Sequence, residues 1–354
     1  MLRENFIRHN QQMSSYNNIL WGVVLAGGEG TRLKNLVKRL YGYPRPKQYC
    51  TLTGTYSLIN QTILRVSKII SNKNILTVVN RNHFKYYKDE LRSRPVETIV
   101  VQPCPRGTCA GILLPVAKIH KTNPDSIVAI FPSDHFIQEE NKFINYIKEA
   151  SIFVERNPDL IVLAGIRPIR IETGLGWIES GYKINSFNDL NFSQIRNFCE
   201  KPDAAVTSSL FASGCLINTS IVIGKSRTII EQMKKHLPLF FEAFNPIYDS
   251  LGTKHEKDII KEYFKLMPDV NFSKDFLENV ADQLAVLEIP DVYWSDWGEE
   301  QRITYDLKKF HLSFPSKIIS HKGTMERLHE ASRTKIMRKT TVNYFNSDGS
   351  RRIK

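Results

Sequence analysis

The sequence is poor in cysteine, lacks any long apolar run and carries neither of the two commonest nucleotide-binding strings, and each shortage removes a class of protein. Five cysteines (Cys50, Cys104, Cys109, Cys199 and Cys215) are scattered through 354 residues, with no CxxC pair and no histidine at zinc-ligand spacing. That pattern excludes a disulfide framework and a structural zinc site, and ordinary reduced thiols are expected. No apolar stretch approaches the roughly 18 residues of a membrane span. The longest early one, residues 19–26, is a strand's length and runs straight into glycines. Residues 1–18 show no apolar core and no cleavage signal of a leader peptide, so a cytoplasmic protein with no membrane partner is expected. Internal repeats and low-complexity segments are missing too.

What is present fits a globular chain: 42% hydrophobic and 24% charged residues, with a mean hydropathy of −0.30. The net charge is +13 and the isoelectric point about 9.4, which calls for an acidic partner such as nucleic acid, anionic lipid or a phosphorylated small molecule. Part of that charge lies at the end of the chain. From His321 onward, nine Lys and Arg face three Asp and Glu. No RNP-type aromatic pattern or helix-turn-helix signature accompanies them. A solvated tail is therefore favoured over an RNA-binding arm, and nucleic acid is not an expected partner.

Short, almost continuously apolar runs at 19–26, 75–79, 98–101, 126–131 and 160–164 read as strands buried on both faces. Between them, segments 58–70, 83–91, 109–120 and 142–155 place apolar residues three and four apart, as helices do. The alternation predicts a mostly parallel central sheet with helices on both faces. From 174 to 223 the pattern shifts to strands joined by polar links, at 177–178, 194–199 and 215–223. A more helical region over 226–276 and a strand at 285–293 follow. The expected organisation is an N-terminal extension (1–18), one catalytic domain with a β insertion (19–305), and a short helical, basic tail (306–354).

The most informative stretch is the glycine-rich turn after the first strand, Leu25-Ala26-Gly27-Gly28-Glu29-Gly30-Thr31-Arg32-Leu33. A turn of this kind lets backbone N–H groups approach a phosphate. A P-loop would need GxxxxGK followed by Ser or Thr, and no such string occurs. A dinucleotide turn would need GxGxxG, but Leu33 occupies the third glycine position and no acidic residue closes the strand at 75–79. A NAD-dependent dehydrogenase is disfavoured on both grounds. Two cations, Arg32 and Lys47, stand near the turn and suit a triphosphate that must lose pyrophosphate.

The string GGxGTRL resembles that of the sugar nucleotidyltransferase family, and Pro46-Lys47-Gln48-Tyr49 resembles the PKQF of its mannose-1-phosphate guanylyltransferases. The resemblance implies a Rossmann-like, GT-A-like nucleotidyltransferase fold with a sugar-binding β insertion. It extends over roughly residues 20 to 300 through further motifs. Gln102-Pro103-Cys104-Pro105-Arg106-Gly107-Thr108 is similar to the base-reading loop, with Gly107 where the family pattern P-x-x-RNTAPA has Asn. Ser133-Asp134-His135 ends a buried strand, where open α/β sheets place ligands, and an aspartate there suits Mg²⁺ better than packing. Trp294-Ser295-Asp296-Trp297-Gly298 resembles WSDVG and supplies a second carboxylate. Gly174-Leu175-Gly176-Trp177-Ile178-Glu179 resembles GYGYIE, and Phe198-Cys199-Glu200-Lys201-Pro202 matches FxEKP. Asn218-Thr219-Ser220 stands where mannose enzymes show Asn-Ser-Gly, and Ile217 replaces the preceding Trp.

The resemblance thus implies that Arg32, Lys47 and Lys201 act on the phosphates. Leu25, Ala26, Gly27, Gly28, Gly30, Thr31, Gln102, Arg106, Gly107, Thr108 and Ser133 would hold the nucleotide. Gly176, Glu179, Glu200, Lys201 and Asn218 would hold the sugar phosphate, and Asp134 and Asp296 would hold Mg²⁺. His135 is expected to be a supporting, hydrogen-bonded residue. GTP and α-D-mannose-1-phosphate are the implied substrates, giving GDP-mannose and pyrophosphate. A different nucleotide and sugar pair, or a non-catalytic regulatory relative, are the alternatives. A homodimer is compatible with the sequence, although no residue calls for one. Neither the hexapeptide periodicity of a left-handed β-helix nor the length for a fused isomerase domain follows Asp296.

Overall fold

The computed structural model describes residues 19–315, apart from 188 and 189. The extension at 1–18 and most of the basic tail lie outside the described residues. The first apolar run forms β1 (Leu20–Ala26), and its Val23, Val24 and Ala26 are buried because the sheet is covered on both faces. The chain continues through α1 (Lys34–Tyr41), α2 (Leu58–Val66), β2 (Ile75–Asn80), α3 (Phe84–Glu90), β3 (Ile99–Gln102), α4 (Gly107–Thr122) and β4 (Ile127–Pro132). Next come β5 (Phe136–Ile137), α5 (Glu140–Arg156) and β6 (Ile161–Ile166). The polar-linked region folds as a long hairpin, β7 (Gly176–Phe187) and β8 (Leu190–Glu200), then α6 (Ala204–Ala212) and β9 (Leu216–Lys225). The helical region resolves into α7 (Ser226–His236), α8 (Pro238–Ser250) and α9 (Glu256–Tyr263). The described chain then runs through β10 (Leu284–Glu288), β11 (Trp294–Ser295) and α10 (Glu300–Lys309).

Nine strands form one sheet in the order β3-β2-β1-β4-β9-β6-β10-β8-β7. The registers run β1 parallel to β2 and β4, β2 to β3, and β6 to β10, while β9 and β8 lie antiparallel to their neighbours. Seven of the nine strands therefore point one way, as the alternation of strand and helix predicts. β9 has a special place. Along one edge it pairs with β4 through Val222 to Lys225 and with β7 through Leu216 and Ile217. Along the other it pairs with β6, where two residues (Leu163 to Gly165) advance against four (Val222 to Asn218). The extra residues make a bulge between the two partners of β9, and bulges of this kind re-aim side chains.

Two boundaries differ from expectation. The strand predicted over 285–293 stops at Glu288, because Pro290 carries no N–H for the ladder and Asp291 turns the chain with φ 53°. The strand direction resumes only at β11, which pairs with β5. Secondly, α10 runs across the boundary expected after residue 305. Its Ile303 and Leu307 are buried with Leu33, Leu36, Trp297 and Phe314 in one apolar cluster. α10 is thus packed onto the turn that follows β1.

Candidate active site

The glycine turn is held open by the segment that follows α1. Gly30 adopts φ 62°, and a Cβ there would lie 2.9 Å from the backbone nitrogen of Lys47, so only glycine allows this approach. Gln48 is buried and donates from Nε2 to the carbonyls of Ala26 and Gly28, both at 2.8 Å. The Tyr49 hydroxyl donates to the Ala26 carbonyl at 3.3 Å. With these carbonyls satisfied, the backbone amides of the turn remain as donors for a phosphate. Gln48 has no role in the sequence-based assignment; its contribution is to fix the turn.

The pairing of β5 with β11, Phe136 to Ser295 and Ile137 to Trp294, brings the two candidate metal aspartates together. Lys47, only 4% exposed, joins them: its ammonium lies 3.0 Å from Asp134 Oδ2 and donates to the Asp296 carbonyl oxygen at 2.5 Å. Burial opposes the charge on Asp134, but Lys47, His135 and Arg32 outweigh it and hold the carboxyl below its ordinary range. Burial likewise opposes the charge on Asp296, and Arg302, His135, Lys47 and the Gly298 N–H outweigh it. Arg302 bonds Asp296 Oδ1 through Nη1 and Glu172 Oε2 through Nη2 at 2.6 Å. Burial, followed by Lys47, pushes His135 down to about 4 against the pull of Asp134. Its Nδ1 accepts from the Trp294 indole at 3.2 Å, the supporting position expected of it.

The donor set fits a hard cation shared with a nucleotide. Asp134 lines the main cavity with a third of its side chain exposed, and Asp296 stands across Lys47 from it. Mg²⁺ takes one or two carboxylates and draws its other ligands from phosphate and water. Among the described residues there is no cluster of three or more His, Cys, Asp or Glu that would cage an ion by itself.

A cavity of about 550 Å³ runs from the glycine turn to the ends of β8 and β9. At the turn it is lined by Leu25, Ala26, Gly27, Gly28 and Gly30, with Ser133 and Asp134 beside them. Gln102, Arg106, Gly107 and Thr108 form one wall. Gly107 has φ 67°, and a Cβ there would come within 2.3 Å of the Val270 carbonyl oxygen. Close packing against a second segment is thus the reason for glycine in place of asparagine. That segment is bonded to the wall by Cys109 N to Val270 O (3.1 Å) and Phe272 N to Thr108 Oγ1 (2.7 Å). Arg106 turns its guanidinium to the Lys265 carbonyl. At the far end stand Glu200, Lys201 and Asn218, with Lys201 Nζ 3.0 Å from Glu200 Oε1.

Some of the expected residues do not line this cavity. Thr31, Gly176 and Glu179 are not among its lining residues, and Glu179 pairs with Arg196 at 3.0 Å. Lys47 and Asp296 sit behind the wall. Arg32 is largely exposed, with Nη2 3.8 Å from Asp296 Oδ2. The segment 269–273, together with Leu277, contributes to the cavity and was missed from sequence. Its only local signal is Asn271, whose Oδ1 accepts from the N–H groups of Ser273 and Lys274 as a helix cap. Arg302 was missed as well, since an Arg at helical spacing reads as a solvated face.

Comparison with known proteins agrees with this architecture. The family model described as Nucleotidyl transferase matches residues 21–310. Mannose-1-phosphate guanylyltransferase 2 of Escherichia coli O157:H7 is 30% identical over 292 residues, covering 79% of this chain and 58% of the relative. Xanthan biosynthesis protein XanB of Xanthomonas campestris pv. campestris (strain B100) is 28% identical over 282 residues, covering 78% and 57%. This chain therefore spans less than three-fifths of the length of these relatives. Among solved structures, a protein described as mannose-1-phosphate geranyltransferase from Thermus thermophilus has the same fold, with a TM-score of 0.66, 22% identity and coverage of 79% and 76%. A glycine turn on β1, two aspartates joined by a lysine and a cavity closed by β8 and β9 sit within a domain matched from residue 21 to residue 310, and the chain belongs to the nucleotidyl transferase family.

Proposed function

We propose that the chain transfers a nucleoside monophosphate from a nucleoside triphosphate to a sugar-1-phosphate, with GTP and α-D-mannose-1-phosphate as the pair, releasing pyrophosphate and GDP-mannose. The observation that carries this is the single cavity with a phosphate-type turn at one end, Glu200, Lys201 and Asn218 at the other, and Asp134 between them. The names of the relatives support the choice of substrates. A phosphate oxygen of the sugar-1-phosphate attacks the α-phosphorus, the bond to the bridging oxygen breaks, and the electron pair leaves with pyrophosphate. The nucleophile is already an anion, so no general base is needed, and catalysis consists of positioning and charge neutralisation.

Within that scheme the turn amides and Arg32 hold the leaving phosphates, and Lys201 steers the sugar phosphate. Lys47 fixes the spacing of Asp134 and Asp296. Those two aspartates would hold Mg²⁺, which when bound draws charge from the α-phosphate. The catalytic domain is proposed to extend through α10 and to work in the cytoplasm as a soluble enzyme. No described helix is long and apolar enough to cross a membrane.

Leu175 and Ile217, which replace larger aromatic residues of the family pattern, favour a second reading in which the same chemistry serves another sugar. Pyrophosphate release should be measured with Mg²⁺, crossing GTP, ATP, UTP, CTP and dTTP with a panel of sugar-1-phosphates. Turnover confined to GTP and mannose-1-phosphate is the expected result. Turnover with another pair selects the second reading, and silence across the panel overturns both in favour of a non-catalytic relative.

A further inference from the structure

Five described non-glycine residues have left-handed backbone, and two of them, Lys201 (φ 50°) and Ser220 (φ 60°), line the cavity of the candidate site. Such conformations are disfavoured for L residues and persist where the surroundings impose them, often at ligand sites. Ser220 is the most informative. It lies in the bulge where β9 leaves β7 and has not yet joined β4. The bulge is pinned from both sides: Thr219 Oγ1 donates to the Ala164 carbonyl at 2.7 Å, and Ser220 N donates to Asn218 Oδ1 at 3.0 Å. Asn218 and Thr219 are buried, whereas Ser220 is exposed and lines the cavity beside Glu200 and Lys201. Its hydroxyl has no hydrogen-bond partner among the described residues. The family pattern has glycine at this position, and glycine would adopt this φ without strain. The chain instead keeps a Cβ and a free hydroxyl on the cavity wall.

We infer that Ser220 is a specificity-determining residue that selects the sugar-1-phosphate, its hydroxyl bonding a sugar hydroxyl and its Cβ narrowing the space beside Lys201. This inference rests on the reaction proposed above. The full chain, Ser220→Ala and Ser220→Gly are compared by steady-state pyrophosphate release with Mg²⁺ and whichever of GTP, ATP, UTP, CTP and dTTP wild type uses best. Mannose-1-phosphate, glucose-1-phosphate and galactose-1-phosphate are each varied, and melting temperatures are measured in parallel. For the sugar that wild type uses best, Ser220→Ala should raise KM roughly 3- to 10-fold, the worth of one hydrogen bond, with kcat within about twofold. Ser220→Gly should show the same rise, a smaller preference between sugars, and a melting temperature no lower than wild type. Unchanged KM values and sugar preference in both variants, with wild type active, overturn the inference and leave the reaction standing. A Ser220→Gly variant that melts lower and loses kcat rather than KM also overturns it, since that is the mark of a structural serine. Inactivity of wild type with every nucleotide and sugar pair overturns the reaction, and the inference with it.

Discussion

His135 is half-buried beside Asp134, Asp296 and Lys47, and its imidazole is pushed down to about 4 by desolvation and by Lys47. An unfolded histidine titrates near 6.5. Between these values the unfolded chain binds more protons than the folded one, so stability rises with pH across that window. The contribution is complete above pH 6.5 and is lost as pH falls toward 4, with a ceiling on the order of 3 kcal/mol. Urea midpoints measured from pH 7 to pH 4.5 should show this slope for wild type and a shallower one for His135→Asn. Parallel slopes would assign the effect to another group. Gly107 gives a second test at this scale. Restoring the asparagine of the family pattern places a Cβ 2.3 Å from the Val270 carbonyl oxygen. Gly107→Asn should therefore loosen the wall, cost about 2 kcal/mol and raise KM for the nucleotide. A variant with wild-type stability and KM would show that the wall yields without cost.

Among the elements, α10 is the one whose role is least visible in its sequence. Its apolar face at Ile303 and Leu307 reads as packing, but Arg302 and Asp306 read as solvated. In the fold both are buried. Arg302 links Asp296 to Glu172, and Asp306 accepts from the Tyr293 hydroxyl at 2.5 Å and from the Trp297 indole at 2.8 Å. Removing one partner from a buried ion pair strands the other charge, so Arg302→Ala should cost about 3 kcal/mol in equilibrium unfolding. A loss below about 1 kcal/mol would mean that water solvates Asp296 in the variant. The strands of the first half were legible because parallel strands covered on both faces must be apolar along their whole length, and the glycine turn because its chemistry is local. Segment 269–273 was not legible. Its place in the cavity depends on backbone contacts to Gly107–Cys109, made across some 160 residues, which leave no periodicity. For the same reason the motif alone points Glu179 to the sugar, while its partner Arg196 comes from the facing strand of the hairpin.

At the scale of the molecule, a net charge of +13 suits the two substrates proposed above, both of them anions, because a positive field raises the encounter rate with such molecules. The cavity lies where the parallel half of the sheet meets the hairpin half, so its glycine-turn end and its Glu200–Lys201 end rest on different strands. One strand belongs to both. β9 closes a ring of pairings with β6, β10, β8 and β7, and also forms the ladder to β4. Neither half can be pulled apart while its neighbour keeps β9 intact, because Val222 and Ile223 of that strand pair with β4 on one edge and with β6 on the other. Heat should therefore melt the two halves together. Scanning calorimetry should give one transition whose calorimetric and van't Hoff enthalpies agree, and two resolved peaks would show that β9 can be surrendered by one half alone.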